Sequence, residues 1–239
     1  MSVLTLVRHG QASFLEENYD RLSLLGEAQA RALGQFWVRQ GLRIDQIFSG
    51  PRVRHIRSAE VVGEVFRSAG LHWPSPTIIE EFDEYQAEGL MRHAMPLLRE
   101  RSEHIRSLEH SFRRSEDPDQ KRKAFERLFQ TVTSMWVGRE FAVDGIESWQ
   151  DFSRRVPEGV QQVKSVSTNG QRIVVFTSSG PIAVAAQMAL DLSPQKTLEL
   201  SWMMHNGAYA EFLFSGERFC LSAFNASPHL RDPSLLTYR

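Results

Sequence analysis

A single cysteine, Cys220, is all the thiol chemistry in this 239-residue chain. That excludes an intramolecular disulfide and argues against a cysteine-built metal site. Lysine is nearly as scarce. Of 28 lysines and arginines only Lys121, Lys123, Lys164 and Lys196 are lysine, which leaves 24 arginines. A net charge of either sign is also missing. The formal value of −1 gives no global pull toward nucleic acid or an anionic membrane. No apolar run approaches the roughly 20 residues needed to span a bilayer. Residues 1–7 are too short for a secretory signal and lack its basic start. There are no internal repeats and no low-complexity linker. These absences read together as a cytoplasmic protein of one domain over residues 1–239, with no nucleic-acid or membrane partner.

The hydrophobic fraction of 41% is ordinary and large enough for one substantial core. Val3 to Val7 read as a short buried strand that runs directly into Arg8, His9 and Gly10. Leu22 to Gly41 read as a helix, with Leu25, Ala28, Ala32, Leu33 and Phe36 on one face and Gly41 as its C-terminal stop. IDQIFSG is a second short strand. PRVRHIRSAEVVGEVFRSAG is a second helix, with Pro51 expected in its first turn. Strand, helix, strand, helix argues for a parallel sheet with helices on both faces.

From about residue 89 to 143 the strand signal disappears. Ile105, Leu108 and Phe112 mark one helical stripe, and Phe125, Leu128, Phe129, Val132, Met135 and Trp136 a second. Arg92 to Arg127 hold ten basic and seven acidic residues, so this stretch is either a solvated face or a helical cap that offers arginines to a ligand. Ser148 to Ser167 read as a helix that Pro157 should kink or interrupt. RIVVFTSSGPIAVAAQMAL is another strand–glycine–helix unit. Tyr209–Phe214 and Phe219–Phe224 read as an antiparallel hairpin, able to serve as core or as the edge of a homodimer. The expected architecture is α/β: a three-layer α/β/α sandwich with a mostly parallel central sheet, an antiparallel edge hairpin and a helical insertion at about 89–143.

In open α/β sheets ligands collect at the carboxyl ends of the strands. Three segments reach such ends: Arg8-His9-Gly10, Ser49 to Arg57, and Thr177-Ser178-Ser179-Gly180. All three can converge on one small anion, helped by the N-termini of the helices that follow. An arginine's planar fork suits phosphate in a way lysine does not, so position matters more than the overall arginine bias.

These segments resemble the histidine phosphatase superfamily, the phosphoglycerate-mutase-like proteins with an Arg-His-Gly motif. LVRHGQ is similar to the family signature, and LSLLGEAQA to its L-T-x-x-G-x-x-Q-A stretch. SGPRVRHIRSAE is similar to S-S-P-x-x-R-x-x-Q-T-A-E, and DGIESWQDFSRRV loosely to its G-E-S-x-x-x-x-x-x-R-V segment. The resemblance implies a metal-independent phosphatase without a cofactor, acting on a small phosphorylated substrate. His9 would be the nucleophile, with Arg8, Arg54, Gln11, Ser179 and His205 around the phosphoryl group. The acid for the leaving group falls on Glu84, with Glu81 as the runner-up.

One position departs from the pattern. The family shows Ser-His-Gly after this strand, whereas this chain has Ser178-Ser179-Gly180, so a hydroxyl stands in place of the second imidazole. His205 is a candidate replacement. Two rivals follow: a mutase-type phosphoryl transfer, and a degenerate phosphate-binding protein with little turnover.

Overall fold

The apolar opening run is β1, Ser2–Arg8, and it lies inside a six-stranded sheet. The computed structural model describes residues 1–12 and 20–238, so Ser13, at the edge of the opening motif, falls outside the described residues. With β2 (Gln46–Ser49), β3 (Thr77–Ile78), β4 (Arg172–Thr177), β5 (Tyr209–Ser215) and β6 (Arg218–Ala226), the strand order is β3-β2-β4-β1-β5-β6. The first four are mutually parallel, and β5 and β6 add an antiparallel hairpin at the β1 side.

Alternation along the central strands feeds two cores. Leu4 and Leu6 of β1 and Ile173 and Val175 of β4 pack with Val160, Val163, Ile182 and Ala185. Val7, Val174 and Phe176 face the other way, onto Leu33, Trp37, Val62 and Phe66. Both faces are therefore covered, which is why β1 and β4 read as unbroken apolar runs. The covering helices are α1 (Leu24–Arg39) and α2 (Val53–Ser68) on one side. On the other are α7 (Ser179–Leu190) and the later turns of α6 (Trp149–Ser165). The chain is thus the expected three-layer α/β arrangement with a mostly parallel sheet.

The helix ends follow local chemistry. Ser23 caps α1 through the amide of Gly26, and Gly41 leaves it with φ +64°. Pro51 is not in the first turn of α2. Arg52 is the extended residue before the helix, and the Val53 N–H is taken by Asp20 Oδ2 at 3.0 Å. Pro157 does not interrupt α6 either. Its flanking buried positions Val156, Val160 and Val163 are fully covered, and that packing outweighs the missing hydrogen bond. A further helix, α8 (Pro194–Met203), follows α7 and has no counterpart in the sequence reading.

The chain divides into two compact units, Met1–Glu84 with Ser153–Arg239, and Tyr85–Phe152. The second unit holds three helices, α3 (Ala87–Arg101), α4 (Glu103–Arg114) and α5 (Pro118–Val137). The two predicted stripes are α4 and α5. α3 escapes notice because Pro96 lies within it. Within this unit Tyr85, Trp136, Trp149 and Phe152 form a ring cluster with centroid separations of 5.1–5.6 Å. Part of its positive charge is consumed internally: Arg99 makes a two-pronged pair with Glu109, which Arg113 also meets.

Candidate active site

β1, β2 and β4 end side by side. Arg8 is in register with Thr177, the His9 amide donates to the Thr177 carbonyl at 2.8 Å, and the Gly50 amide donates to Phe176 at 2.9 Å. The turn after β1 lies directly on the start of α1. A Cβ built on Gly10 would stand 2.2 Å from the Gly26 carbonyl, and one on Gly26 would stand 2.1 Å from the Gln11 carbonyl. Only glycines let these two backbones approach so closely. Buried Gln29 completes the junction by accepting from the Gln11 amide at 2.8 Å.

His9 is 6% exposed. Its Nδ1 lies 2.6 Å from the Gly10 carbonyl, which can only accept, so Nδ1 carries the proton. Nε2 is then the free-electron-pair nitrogen, and it accepts from Arg54 Nε at 3.2 Å. Burial, then the charges of Arg54, His55 and Arg8, hold the imidazole well below its usual 6.5. The ring is neutral at neutral pH, with Nε2 turned toward a guanidinium.

Arg54, from the first turn of α2, is 4% exposed and is oriented from its other end by Asp20 at 2.8 Å. Arg8 donates to the carbonyls of Met204 and, at 2.8 Å, Tyr238. Gln11 sits at the α1 junction, where its side-chain oxygen accepts from the Ser23 hydroxyl at 3.0 Å. His205 rests on the Tyr238 ring, with centroids 4.6 Å apart, and burial and the Arg8 charge lower its pKa.

The acidic segment after β3 is fastened from three sides. Arg52 pairs with Asp83, Arg155 donates to the Glu81 and Asp83 carbonyls, and Thr177 Oγ1 donates to the Phe82 carbonyl at 2.6 Å. This fastening delivers Glu84 to the N-terminus of α7, where Oε2 accepts from the Gly180 amide at 3.1 Å. The Glu81 Cβ instead stands against α6, 2.9 Å from where a Cβ on Gly159 would lie. Ser179, half-buried, is the first residue of the same helix.

Three participants were not singled out by sequence reasoning. Asp20 orients Arg54, Asp83 locks the loop that carries Glu84, and His55 lies fully buried with its ring centroid 5.6 Å from that of His9. His55 Nε2 is 2.6 Å from Ser178 Oγ.

The pattern of the histidine phosphatase superfamily (branch 1) matches residues 4–135 and 109–227. This chain belongs to that superfamily. Solved structures agree on the superfamily fold at low identity. Mycobacterial glucosyl-3-phosphoglycerate phosphatase is 18% identical with a TM-score of 0.61, covering 94% of this chain and 99% of that one. A phosphoserine phosphatase from Entamoeba histolytica is 16% identical at a TM-score of 0.61, covering 96% and 100%. YhfR of Bacillus stearothermophilus is 15% identical at 0.64, covering 96% and 99%. No curated protein matches the chain by sequence. Among the described residues, no helix is long and apolar enough to cross a membrane.

Proposed function

We propose that this chain is a metal-independent phosphatase that hydrolyses a small phosphomonoester through a phosphohistidine on His9. The observation that carries the reading is the state of His9. It is a buried, neutral imidazole, protonated on Nδ1 by its bond to Gly10, with Nε2 facing Arg54. In the first step the Nε2 lone pair attacks phosphorus and the phosphorus–oxygen ester bond breaks, with its electron pair leaving on the substrate oxygen. Glu84, entering protonated, gives that oxygen its proton. In the second step Glu84 takes a proton from water, the hydroxyl oxygen attacks phosphorus, and the phosphorus–nitrogen pair returns to Nε2. Arg54 and Arg8 supply positive charge for the phosphoryl oxygens, where it is worth most as charge develops. The structural relatives named above are themselves phosphatases of small phosphorylated metabolites in two cases, which fits this substrate class.

A second reading, a phosphate-binding protein with little turnover, is favoured by two observations. Ser179 stands where the family pattern has a cationic donor, and Arg8 is engaged by the Met204 and Tyr238 carbonyls. One experiment separates the readings. The protein is incubated with p-nitrophenyl phosphate, and alkali-quenched samples are probed for phosphohistidine, whose phosphorus–nitrogen bond survives base and not acid. The phosphatase reading expects turnover and a label, both lost in His9→Ala with the fold retained. Phosphate binding without turnover or label selects the second reading.

A further inference from the structure

Beside His9 lies an imidazole that the mechanism above does not use. His55 is 0% exposed, comes from the first turn of α2 directly after Arg54, and lies beside His9. A residue so placed needs space made for it. A Cβ on Gly50 would stand 2.5 Å from His55 Nδ1, as well as 2.6 Å from the Phe82 carbonyl. Gly50 is where the family stretch has serine, and Ser179 is where it has histidine. The imidazole that is absent after β4 thus has a counterpart on α2, in a pocket that Gly50 leaves open.

We propose that His55 is the second histidine of this site, a positioning residue that acts through Ser178 and through the His9 ring. The proposal rests on the phosphatase reading. Its geometry is a short chain of contacts. His55 Nε2 is 2.6 Å from Ser178 Oγ, and Ser178, 1% exposed, is the residue immediately before α7. Ser178 follows Thr177, whose carbonyl holds the His9 amide. It precedes the α7 turn whose Gly180 amide holds Glu84. One hydrogen bond therefore ties α2, the nucleophile's strand neighbour and the helix end that presents the acid. Burial and the charges of Arg54 and Arg52 keep His55 itself neutral, so it is a fixed wall and hydrogen-bond partner and does not compete with His9 for the phosphoryl group. Losing it frees a buried hydroxyl and lets His9 and α7 drift relative to each other. A misplacement of about 1 Å at reacting groups costs on the order of 10²-fold in rate.

The test uses the full chain and p-nitrophenyl phosphate, with kcat, KM and thermal midpoint measured for each variant. His55→Ala is expected to lower kcat by about 10–100-fold with little change in KM. Ser178→Ala, a smaller truncation, should show a comparable kcat loss with the fold retained. The double variant should be no worse than His55→Ala, because the pair acts as one unit. His55→Gln keeps a side-chain amide for Ser178 and should recover much of the loss. The decisive readout is the split between parameters: a purely structural His55 would lower the thermal midpoint without a kcat-specific loss and without rescue by His55→Gln. Wild-type kcat in folded His55→Ala overturns the inference, as do multiplicative losses for His55→Ala and Ser178→Ala. If His55→Ala does not fold, Ser178→Ala and His55→Gln carry the test on the same terms. Wild-type protein with neither turnover nor phosphohistidine rejects the phosphatase reading itself and this inference with it, whereas wild-type turnover with an indifferent His55 rejects the inference alone.

Discussion

At the scale of the residue, the site divides into what a short motif carries and what only folding brings together. Arg8, His9 and Gly10 are adjacent in sequence, and Arg54 sits at a fixed offset within its stretch, so they can be read off the chain. For the acid, the family resemblance narrowed the carboxylates clustered after β3 to two candidates, Glu84 and Glu81. His55 could not be read, since its meaning depends on Ser178, 123 residues away. Asp20 is equally mute until its 34-residue separation from Arg54 is closed. His205, a candidate replacement for the missing imidazole, leans on Tyr238 in the surroundings of Arg8. The role assigned to Glu84 has its own signature. A general acid matters most when the leaving group is a poor one, so Glu84→Gln should slow hydrolysis of an alkyl phosphate by about 10²–10⁴-fold. A p-nitrophenolate leaves without help, so the loss there should be much smaller in the first step. Equal losses on both substrates, measured as single-turnover rates, would reduce Glu84 to a residue that merely holds the α7 terminus.

At the scale of the element, periodicity and capping residues placed the ends of α1, α2 and α6 to within about two residues. Leu24–Arg39 falls inside the predicted Leu22 to Gly41 because Ser23 and Gly41 are chemically marked ends. Proline misled in both directions. Pro157 suggested a break in α6 where tertiary packing keeps the helix whole, and Pro96 hid α3. α8 was missed because neither its composition nor its neighbours stand out, although Ser193 and Pro194 give it an ordinary start. The junction between the β1 turn and α1 is where an element's geometry becomes chemistry. Gly26→Ala puts a methyl 2.1 Å from the Gln11 carbonyl, a backbone atom that cannot rotate away. Relief requires α1 and the His9 turn to separate. The variant should therefore lose about 1–3 kcal/mol of stability by the scale of overpacking, and kcat should fall even well below its melting temperature. Calorimetry and a turnover assay at low temperature check the two parts. A stable, fully active Gly26→Ala would mean that the turn tolerates movement.

At the scale of the whole molecule, histidine burial makes stability depend on pH in one direction. His9, His55 and His229 are each at most 6% exposed. All three are depressed below 6.5, His229 to about 4 by burial. Below 6.5 the unfolded chain takes up protons that the folded chain refuses. Stability is therefore full above about pH 6.5 and declines as pH falls, for His229 until about pH 4. Each such histidine adds up to about 1.4 kcal/mol per pH unit to the slope. Denaturant unfolding between pH 7.5 and 5 should show this steep decline. His229→Gln, which keeps a donor for the Gly207 carbonyl, should flatten it by about one proton's worth. An unchanged slope would show that His229 titrates alike in both states. The edges of the sheet bear on a different kind of measurement. β3 is two residues long, whereas β6 runs for nine and carries Cys220 exposed on it. Because that thiol is the chain's only one, a maleimide dye will attach at a single place without any prior cysteine removal. The natural protein thus arrives with a site-specific optical tag on its long outer strand, and tumbling rates or dye–dye quenching read there report whether two such edges meet in solution.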